Sequence, residues 1–113
     1  MNKKLYKFIS IEEYERIVKI REFYTKRNME APAKYKCVYK KTEDGRYYRP
    51  KNLEYEQIVQ ILIREKYSDH DEFAIQRKRY TELDKFQEYY DYVESCISQA
   101  KEFINERNNW DNI

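Results

Sequence analysis

The sequence is poor in the residues that make tight turns and in Cys and His, the usual ligands of structural zinc. It has one Gly, two Pro, two Cys and one His. So few turn-forming residues favour long helices over a succession of short strands. A structural zinc site needs about four Cys or His ligands, which this set does not supply. Gly45 is the only glycine, so a Gly-rich phosphate-binding loop is excluded as well.

The few Cys and His residues stand in settings that do not suggest catalysis. Cys37 and Cys96 are far apart, with neither a C-x-x-C spacing nor a neighbouring His. They predict two half-buried thiols in a reducing compartment. His70 lies between Asp69 and Asp71 in a predicted helix cap. A solvated first-turn histidine is therefore favoured over a general base or a metal ligand.

The sequence also lacks a long apolar run. No segment approaches the roughly 20 apolar residues that span a bilayer, and residues 1–7 lack the apolar run of a signal peptide. We therefore expect a soluble, intracellular protein with no membrane partner.

Acidic pairs such as Glu88 and Asp91 do not suggest an active site. They fall on a predicted exposed helix face, whereas glycosidase-like chemistry needs two carboxylates facing each other across a cleft. We expect a non-enzymatic protein with no catalytic residue, metal, cofactor or small-molecule substrate.

Charged and aromatic side chains are abundant. They make up 39% and 17% of the 113 residues, and 13 of the aromatic residues are Tyr. Disordered chains are usually poor in aromatic residues, so we predict one folded domain over 1–113, with halves 1–50 and 51–113. Residues 34–51 contain seven basic and two acidic residues, whereas residues 82–113 contain three basic and eight acidic ones. This asymmetry bears on the choice of partners.

The longest predicted element is an amphipathic helix over residues 81–107. Its apolar side chains recur at alternating steps of three and four and so share one helix face. They are Leu83, Phe86, Tyr90, Val93, Ile97, Ala100 and Ile104. The face is widened on one side by Tyr89, Cys96 and Phe103. The residues that we expect to be among the most buried are Leu62, Phe86, Val93 and Ile97.

The first half is predicted to contain one helix and a basic β-hairpin. Residues 3–9 have the imperfect alternation of a short strand. Ser10 followed by Glu13 matches a capping box, which predicts a helix ending at about residue 27 or 28. After a connector over residues 28–34, apolar and basic side chains alternate along residues 34–39.

The hairpin turn is predicted at Asp44-Gly45, and its return strand ends at Pro50. A two-residue loop sets Lys40 opposite Arg49, which places like charges together. A three-residue loop changes the pairing of the two strands, and the sequence does not distinguish between the two loop lengths.

The second half is predicted to be helical. Asn52 can cap a helix over residues 53–66, with a strand over residues 58–63 as the competing interpretation. Ser68 and Asp71 match a capping motif that begins another helix. We expect a break near Tyr80, with one continuous helix as the alternative. The predicted fold is therefore α+β and mostly α-helical, with a C-terminal helical hairpin or three-helix unit.

A run of residues in the second half resembles small uncharacterised proteins of phages and prophages of gut bacteria, often encoded among tail and other late structural genes. The residues that carry the resemblance are Leu62-Ile63-Arg64, Tyr67-Ser68, Asp71-Glu72, Ala74-Ile75, Arg77, Phe86, Tyr89, Tyr92-Val93, Cys96 and Ala100-Lys101. The resemblance covers roughly residues 55–103. One position departs from it, because Ile97 stands where the pattern of those proteins has Lys. The resemblance implies a setting, the cytoplasm of a bacterial host or the virion, and supplies no functional residues.

The favoured hypothesis is a phage-type structural or accessory protein that acts by protein–protein contact. It would form a homo-oligomer or join a larger phage assembly. The basic hairpin of one copy would contact the acidic last helix of the next, and the apolar flank Tyr89, Cys96 and Phe103 would carry most of the affinity. On this hypothesis, Phe103→Glu breaks the assembly and leaves the monomer folded.

The alternative hypothesis is a nucleic-acid-binding module, or an inhibitor of a host nucleic-acid enzyme, that uses residues 34–51. Basic side chains neutralise phosphates and tyrosines stack on unpaired bases. The hairpin residues assigned to this interaction surface are Lys36, Lys40, Lys41, Arg46, Tyr47, Tyr48 and Arg49. A simpler interpretation, in which the tyrosines face the core and the lysines face water, is favoured for this segment.

Overall fold

The computed structural model describes residues 2–110, and it is mostly helical with a small antiparallel sheet. The α+β prediction is therefore confirmed. In chain order the elements are β1 (Tyr6–Ile9), α1 (Ile11–Lys26), a short 3-10 helix (Ala33–Tyr35), β2 (Lys40–Lys41), β3 (Tyr47–Pro50), α2 (Tyr55–Arg64), α3 (Asp69–Arg77) and α4 (Leu83–Trp110). The described chain divides into two compact units, residues 2–52 with Trp110, and residues 53–109. None of these helices has the length and apolar character needed to cross a membrane.

Helix α1 of the first unit begins where the local sequence predicts. The Ser10 hydroxyl accepts a hydrogen bond from the Glu13 backbone N–H at 3.2 Å, which satisfies one of the otherwise unpaired donors of the first turn. The helix ends at Lys26, and Asn28 adopts a positive φ of 53°, a conformation that Asn tolerates better than most residues.

The sheet of the first unit has the order β1-β3-β2, so β3 is its central strand. Phe8 on β1 and Lys40 on β2 both pair with Tyr48. The hairpin has the three-residue loop, because Thr42 and Arg46 close it with a 2.7 Å backbone hydrogen bond and Gly45 takes a φ of 88°. Lys40 is thus kept away from Arg49, and the two-residue alternative is wrong. Pro50 still belongs to β3.

Residues 34–39 do not form the predicted strand with inward Tyr35, Cys37 and Tyr39. The chain makes a 3-10 turn at Ala33–Tyr35. Backbone carbonyls of residues 35–38 accept hydrogen bonds from side chains and not from a neighbouring strand. The Arg21 guanidinium donates to the carbonyls of Tyr35 and Cys37 at 2.7 and 3.3 Å. Once a side chain satisfies these acceptors, the segment needs no partner strand.

Helix α2 of the second unit is confirmed as a helix, which excludes the alternative strand. Its N-cap is Glu54 and not Asn52, because Glu54 and Gln57 form a reciprocal capping box in which the Glu54 N–H donates to the Gln57 side chain at 2.9 Å. The helix buries Ile58, Leu62 and Ile63, so the burial predicted for Leu62 is confirmed.

The break between α3 and α4 is also confirmed, and one continuous helix is excluded. Helix α3 begins at the predicted cap. The Ser68 hydroxyl accepts a hydrogen bond from the Asp71 N–H at 3.0 Å, and the Asp71 carboxylate accepts one from the Ser68 N–H at 3.1 Å. Helix α3 ends at Arg77 and α4 begins at Leu83. Thr81 does not cap α4, since its hydroxyl donates back to the Lys78 carbonyl at 3.1 Å.

The buried face of helix α4 is shifted from the predicted stripe toward its flank, although Ala100 of the stripe is buried as predicted. Its residues in the core of the second unit are Tyr89, Cys96, Ala100 and Phe103. Phe86, Val93 and Ile97 are only half-buried, so their predicted place among the most buried residues is wrong. Leu83 and Tyr90 are 64% and 50% exposed. Two tyrosines set the rotation of α4 about its axis, because the hydroxyls of Tyr89 and Tyr92 donate hydrogen bonds to acceptors inside the second unit.

Candidate interaction surfaces

The predicted hairpin surface divides between two faces of the sheet, because successive strand residues point to opposite sides. Lys40, Arg46 and Tyr48 share one face. Lys41, Tyr47 and Arg49 alternate with them and belong to the other. The two groups therefore cannot act together as one continuous surface.

The face that carries Tyr47 packs against α1. The Tyr47 ring stacks on that of Tyr14, with centroids 3.8 Å apart and planes within 9°. Arg49 donates to the Val38 carbonyl at 3.2 Å, and its guanidinium lies 5.7 Å from the centre of the Tyr39 ring. We therefore assign Tyr47 and Arg49 to the packing of the first unit.

The remaining two lysines of the predicted surface are exposed. Lys41 lies on β2 next to Lys40, on the opposite face. Lys36 forms an ion pair with Glu30, and the hydrogen bond from Lys36 lowers the pKa of that carboxyl. Neither lysine shares a face with Tyr48.

The other sheet face gathers aromatic and basic side chains from all three strands. We call this set the aromatic face: Tyr6, Phe8, Lys40, Arg46 and Tyr48. The Tyr48 ring centroid is 5.8 Å from that of Tyr6 and 6.0 Å from that of Phe8. All three rings are half-buried. Sequence reasoning missed Tyr6 and Phe8, although their i, i+2 spacing in a predicted strand was a usable signal.

Trp110 packs against side chains of the aromatic face, and sequence reasoning missed it as well. It is 1% exposed, and its indole N–H donates to the Val38 carbonyl at 2.8 Å. Its ring meets Tyr48 edge-on at 5.5 Å, and the Lys40 ammonium lies 4.3 Å from its ring centre. The predicted helix ended at Arg107, three residues short of this anchor.

The hairpin loop fixes Arg46 beside the aromatic face. The hydrogen bond from the Thr42 hydroxyl, followed by that from Arg46, lowers the pKa of Asp44 to about 2. The Arg46 guanidinium pairs with Asp44 at 2.9 Å and lies 4.9 Å from the centre of the Phe8 ring. Arg46 is thus held in place, with part of its charge already neutralised.

The two units carry opposite charge. Residues 2–52 contain fifteen Lys or Arg and seven Asp or Glu, a formal net charge of +8. Residues 53–109 contain eight Lys or Arg and thirteen Asp or Glu, a net charge of −5. A small overall net charge of +2 therefore hides two strongly charged units.

The first half of α4 carries an apolar stripe that the second unit does not bury fully. We call Leu83, Phe86, Tyr90 and Val93 the α4 stripe. The Phe86 and Tyr90 rings lie side by side with centroids 6.5 Å apart. The acidic side chains of this half of α4 are exposed as well, and they include Glu88, Asp91 and Glu94.

The predicted docking flank of Tyr89, Cys96 and Phe103 is wrong, because these residues are 6%, 1% and 6% exposed. Burial, followed by the hydrogen bond to Glu72, raises the pKa of Tyr89 to about 12. Burial also raises the pKa of the Cys96 thiol, which makes it a weak nucleophile. Phe103→Glu would place a carboxylate in the core, so it should unfold the protein instead of only breaking an assembly.

Arg64 links α2, α3 and α4 through ion pairs and a hydrogen bond that includes Tyr89. Its guanidinium pairs with Asp69 and Glu72, and Glu72 also accepts the Tyr89 hydroxyl. Burial opposes the charge of Arg64, but the bonds to Glu72 and then Asp69 outweigh it and raise the Arg64 pKa. This cluster of ionisable groups holds α2, α3 and α4 together.

The other residues considered for chemistry are placed as follows. His70 is exposed in the first turn of α3, as the simpler interpretation expects. Both thiols are free, with Cys37 half-buried and Cys96 buried. Across residues 2–110, no three or more His, Cys, Asp or Glu side chains come together in a way that could hold a metal ion.

Neither protein families, nor curated proteins, nor solved structures give a match to this chain.

Proposed function

We propose that this is a non-enzymatic, phage-type structural or accessory protein that acts by protein–protein contact, beginning with its own copies. The observation that carries the proposal is the α4 stripe. Leu83 and Tyr90 are 64% and 50% exposed, although they lie at the heptad spacing at which helices bury side chains against a partner. Adjacent exposed apolar side chains on one helix mark a contact surface.

The partner that fits this surface is the basic unit of a second copy. The α4 stripe lies on a unit of net charge −5, beside Asp91 and Glu94. Two such acidic helices would repel each other if they paired. The first unit, with a net charge of +8, is complementary, so the contact that we propose joins the first unit of one copy to α4 of the next.

The apolar side chains would supply most of the affinity. Exposed ion pairs contribute about 0–1 kcal/mol each and are screened by salt. Fully burying an exposed side chain such as Leu83 contributes about 1.5–3 kcal/mol, and the half-buried Phe86 contributes less. The charges would then set the orientation and the rate of association.

A contact between two different surfaces of the same chain is heterologous, so it builds a closed ring or an open filament. Both are forms that a virion component requires. The resemblance over residues 55–103 supports this setting, and we propose the cytoplasm of a phage-infected bacterium, or the virion itself, as the location.

The proposal is tested by measuring molar mass with light scattering over a range of protein concentrations. The wild-type protein should exceed the monomer mass at high micromolar concentration. Tyr90→Glu should restore the monomer mass because it puts a charge into the stripe while leaving the core intact. Phe73→Glu is the matched control, since Phe73 is 65% exposed but lies on α3.

Raising the salt concentration should weaken the association only in part, because screening leaves the apolar contact in place. A wild-type protein that stays monomeric would exclude self-association. Equal loss of assembly in Tyr90→Glu and Phe73→Glu would show that the α4 stripe is not the contact.

A further inference from the structure

We propose that the aromatic face of the first unit binds single-stranded nucleic acid. The face combines three half-buried rings with two cationic side chains on one side of a small sheet. Lys40 and Arg46 would contact phosphates, and the rings of Phe8 and Tyr48 would stack on unpaired bases, with Tyr6 beside them. The residues of this face all lie in the first unit, which is also the basic side of the contact proposed for α4, so nucleic acid and a second copy would compete for this unit.

The geometry of the rings suits stacking. Phe8 and Tyr48 are paired neighbours on β1 and β3, and their ring planes are within 28° of each other at 6.0 Å. Two neighbouring rings of similar orientation on a sheet form a platform, and every base has a flat face that can stack on it. The Tyr6 ring is edge-on to that of Tyr48, with 70° between their planes, so it flanks this platform. Because the rings are half-buried, their orientation is held before a ligand arrives, which lowers the entropic cost of binding.

The cations of this face are not equivalent. The Lys40 ammonium rests over the Trp110 ring and is paired with no carboxylate among the described residues, so a phosphate can recruit it without breaking an ion pair. Arg46 already pairs with Asp44 and would contribute less. The net charge of +8 on residues 2–52 supplies the long-range attraction for a polyanion.

An acidic protein segment is the competing ligand for so basic a unit. It would satisfy the cations, but it could use the rings only where its aromatic side chains happen to match their spacing, whereas every nucleotide of a single strand carries both a phosphate and a base. Nucleic acid uses both halves of the face, phosphates on the cations and bases on the rings. A double helix keeps its bases stacked on one another, so the rings select a single strand.

The test uses the full chain and a fluorescently labelled oligothymidylate of about 15 nucleotides, a length within the usual range for one single-strand-binding module. Anisotropy should show binding at low salt, with weaker binding to a duplex of the same length. Affinity should fall as salt rises, with a log–log slope of about −0.7 for each phosphate contact. Trp110, the only Trp, gives a second signal through a change in its fluorescence.

Lys40→Gln and Lys41→Gln form a matched pair, since both remove one charge from β2 but on opposite sheet faces. Lys40→Gln should weaken binding and reduce the salt slope by about 0.7, whereas Lys41→Gln should have the smaller effect. Phe8→Leu removes a stacking ring and should weaken binding by roughly 5- to 150-fold, and Phe8→Tyr should restore it. Circular dichroism and melting curves confirm that each variant folds.

Four results would overturn the proposal. They are no binding at low salt, equal binding of duplex and single strand, equal effects of the two lysine substitutions, and tighter binding of polyglutamate than of oligothymidylate. Tyr90→Glu separates this test from that of self-association, because it alters α4 alone and removes the competing contact, so this variant should bind the oligonucleotide at least as tightly as the wild type.

Discussion

At the scale of single residues, the tyrosines explain where the sequence interpretation of α4 was wrong. Tyr89 is 6% exposed, and its hydroxyl donates to Glu72. Tyr92 is half-buried and donates to the Leu62 carbonyl at 2.8 Å. A tyrosine with an internal acceptor can be buried at little cost, and apolar periodicity alone does not reveal that the acceptor exists.

The raised pKa of Tyr89 predicts a stability change at alkaline pH. Its ordinary value is 10.0 and the folded value is about 12, so the native state holds the phenolic proton more tightly. The stabilisation is complete below pH 10 and is lost as the pH rises through about 12. Tyr89→Phe should flatten the fall in melting temperature over this interval.

The control for that experiment is Tyr90→Phe, which changes an exposed tyrosine on the same helix. It should keep the wild-type alkaline transition. If Tyr89→Phe and Tyr90→Phe behave alike, Tyr89 does not hold its proton in the folded state.

At the scale of elements, the features that local rules govern were predictable. Ser10 and the Ser68–Asp71 pair cap their helices as their spacing indicates. The cap at Glu54 was missed, because its box depends on a glutamate, which is not a preferred N-cap residue. Residues 34–39 were predicted as a strand, because no local sequence pattern shows that the Arg21 guanidinium donates hydrogen bonds to backbone carbonyls of this segment.

The candidate site was predictable only in part, for a similar reason. Alternation within the hairpin indicated Lys40, Arg46 and Tyr48. Phe8 joins them only because β1 pairs with β3 across about 40 residues of chain, and such pairing leaves no local signal. Trp110 lies further still along the chain, at the end of α4.

The orientation of α4 can be tested with two substitutions on the same helix. Phe103 is 6% exposed and Phe86 is half-buried. Phe103→Ala should lower the free energy of unfolding by about 3–5 kcal/mol, the range for a buried Phe, and Phe86→Ala should lower it clearly less. Urea denaturation measures both, and the reverse order would mean that α4 buries the face that sequence periodicity predicts.

At the scale of the whole molecule, the separation of charge is the feature on which the proposed head-to-tail contact depends. A chain with +8 on one unit and −5 on the other is complementary to its own copies in a head-to-tail arrangement. The α4 stripe adds apolar side chains to the acidic side of that contact. The proposed function therefore rests on two surfaces of one chain that fit each other.

A mixing experiment tests this head-to-tail contact most directly. Tyr90→Glu damages the α4 stripe, and the double substitution Lys40→Glu with Lys41→Glu reverses the charge on both sheet faces of β2. Tyr90→Glu alone should be monomeric by light scattering, and the lysine variant alone should associate more weakly than the wild type. An equimolar mixture should form a dimer, because the intact surface of one variant meets the intact surface of the other. A mixture no heavier than the lysine variant alone, or a lysine variant that assembles as tightly as the wild type, would contradict the account.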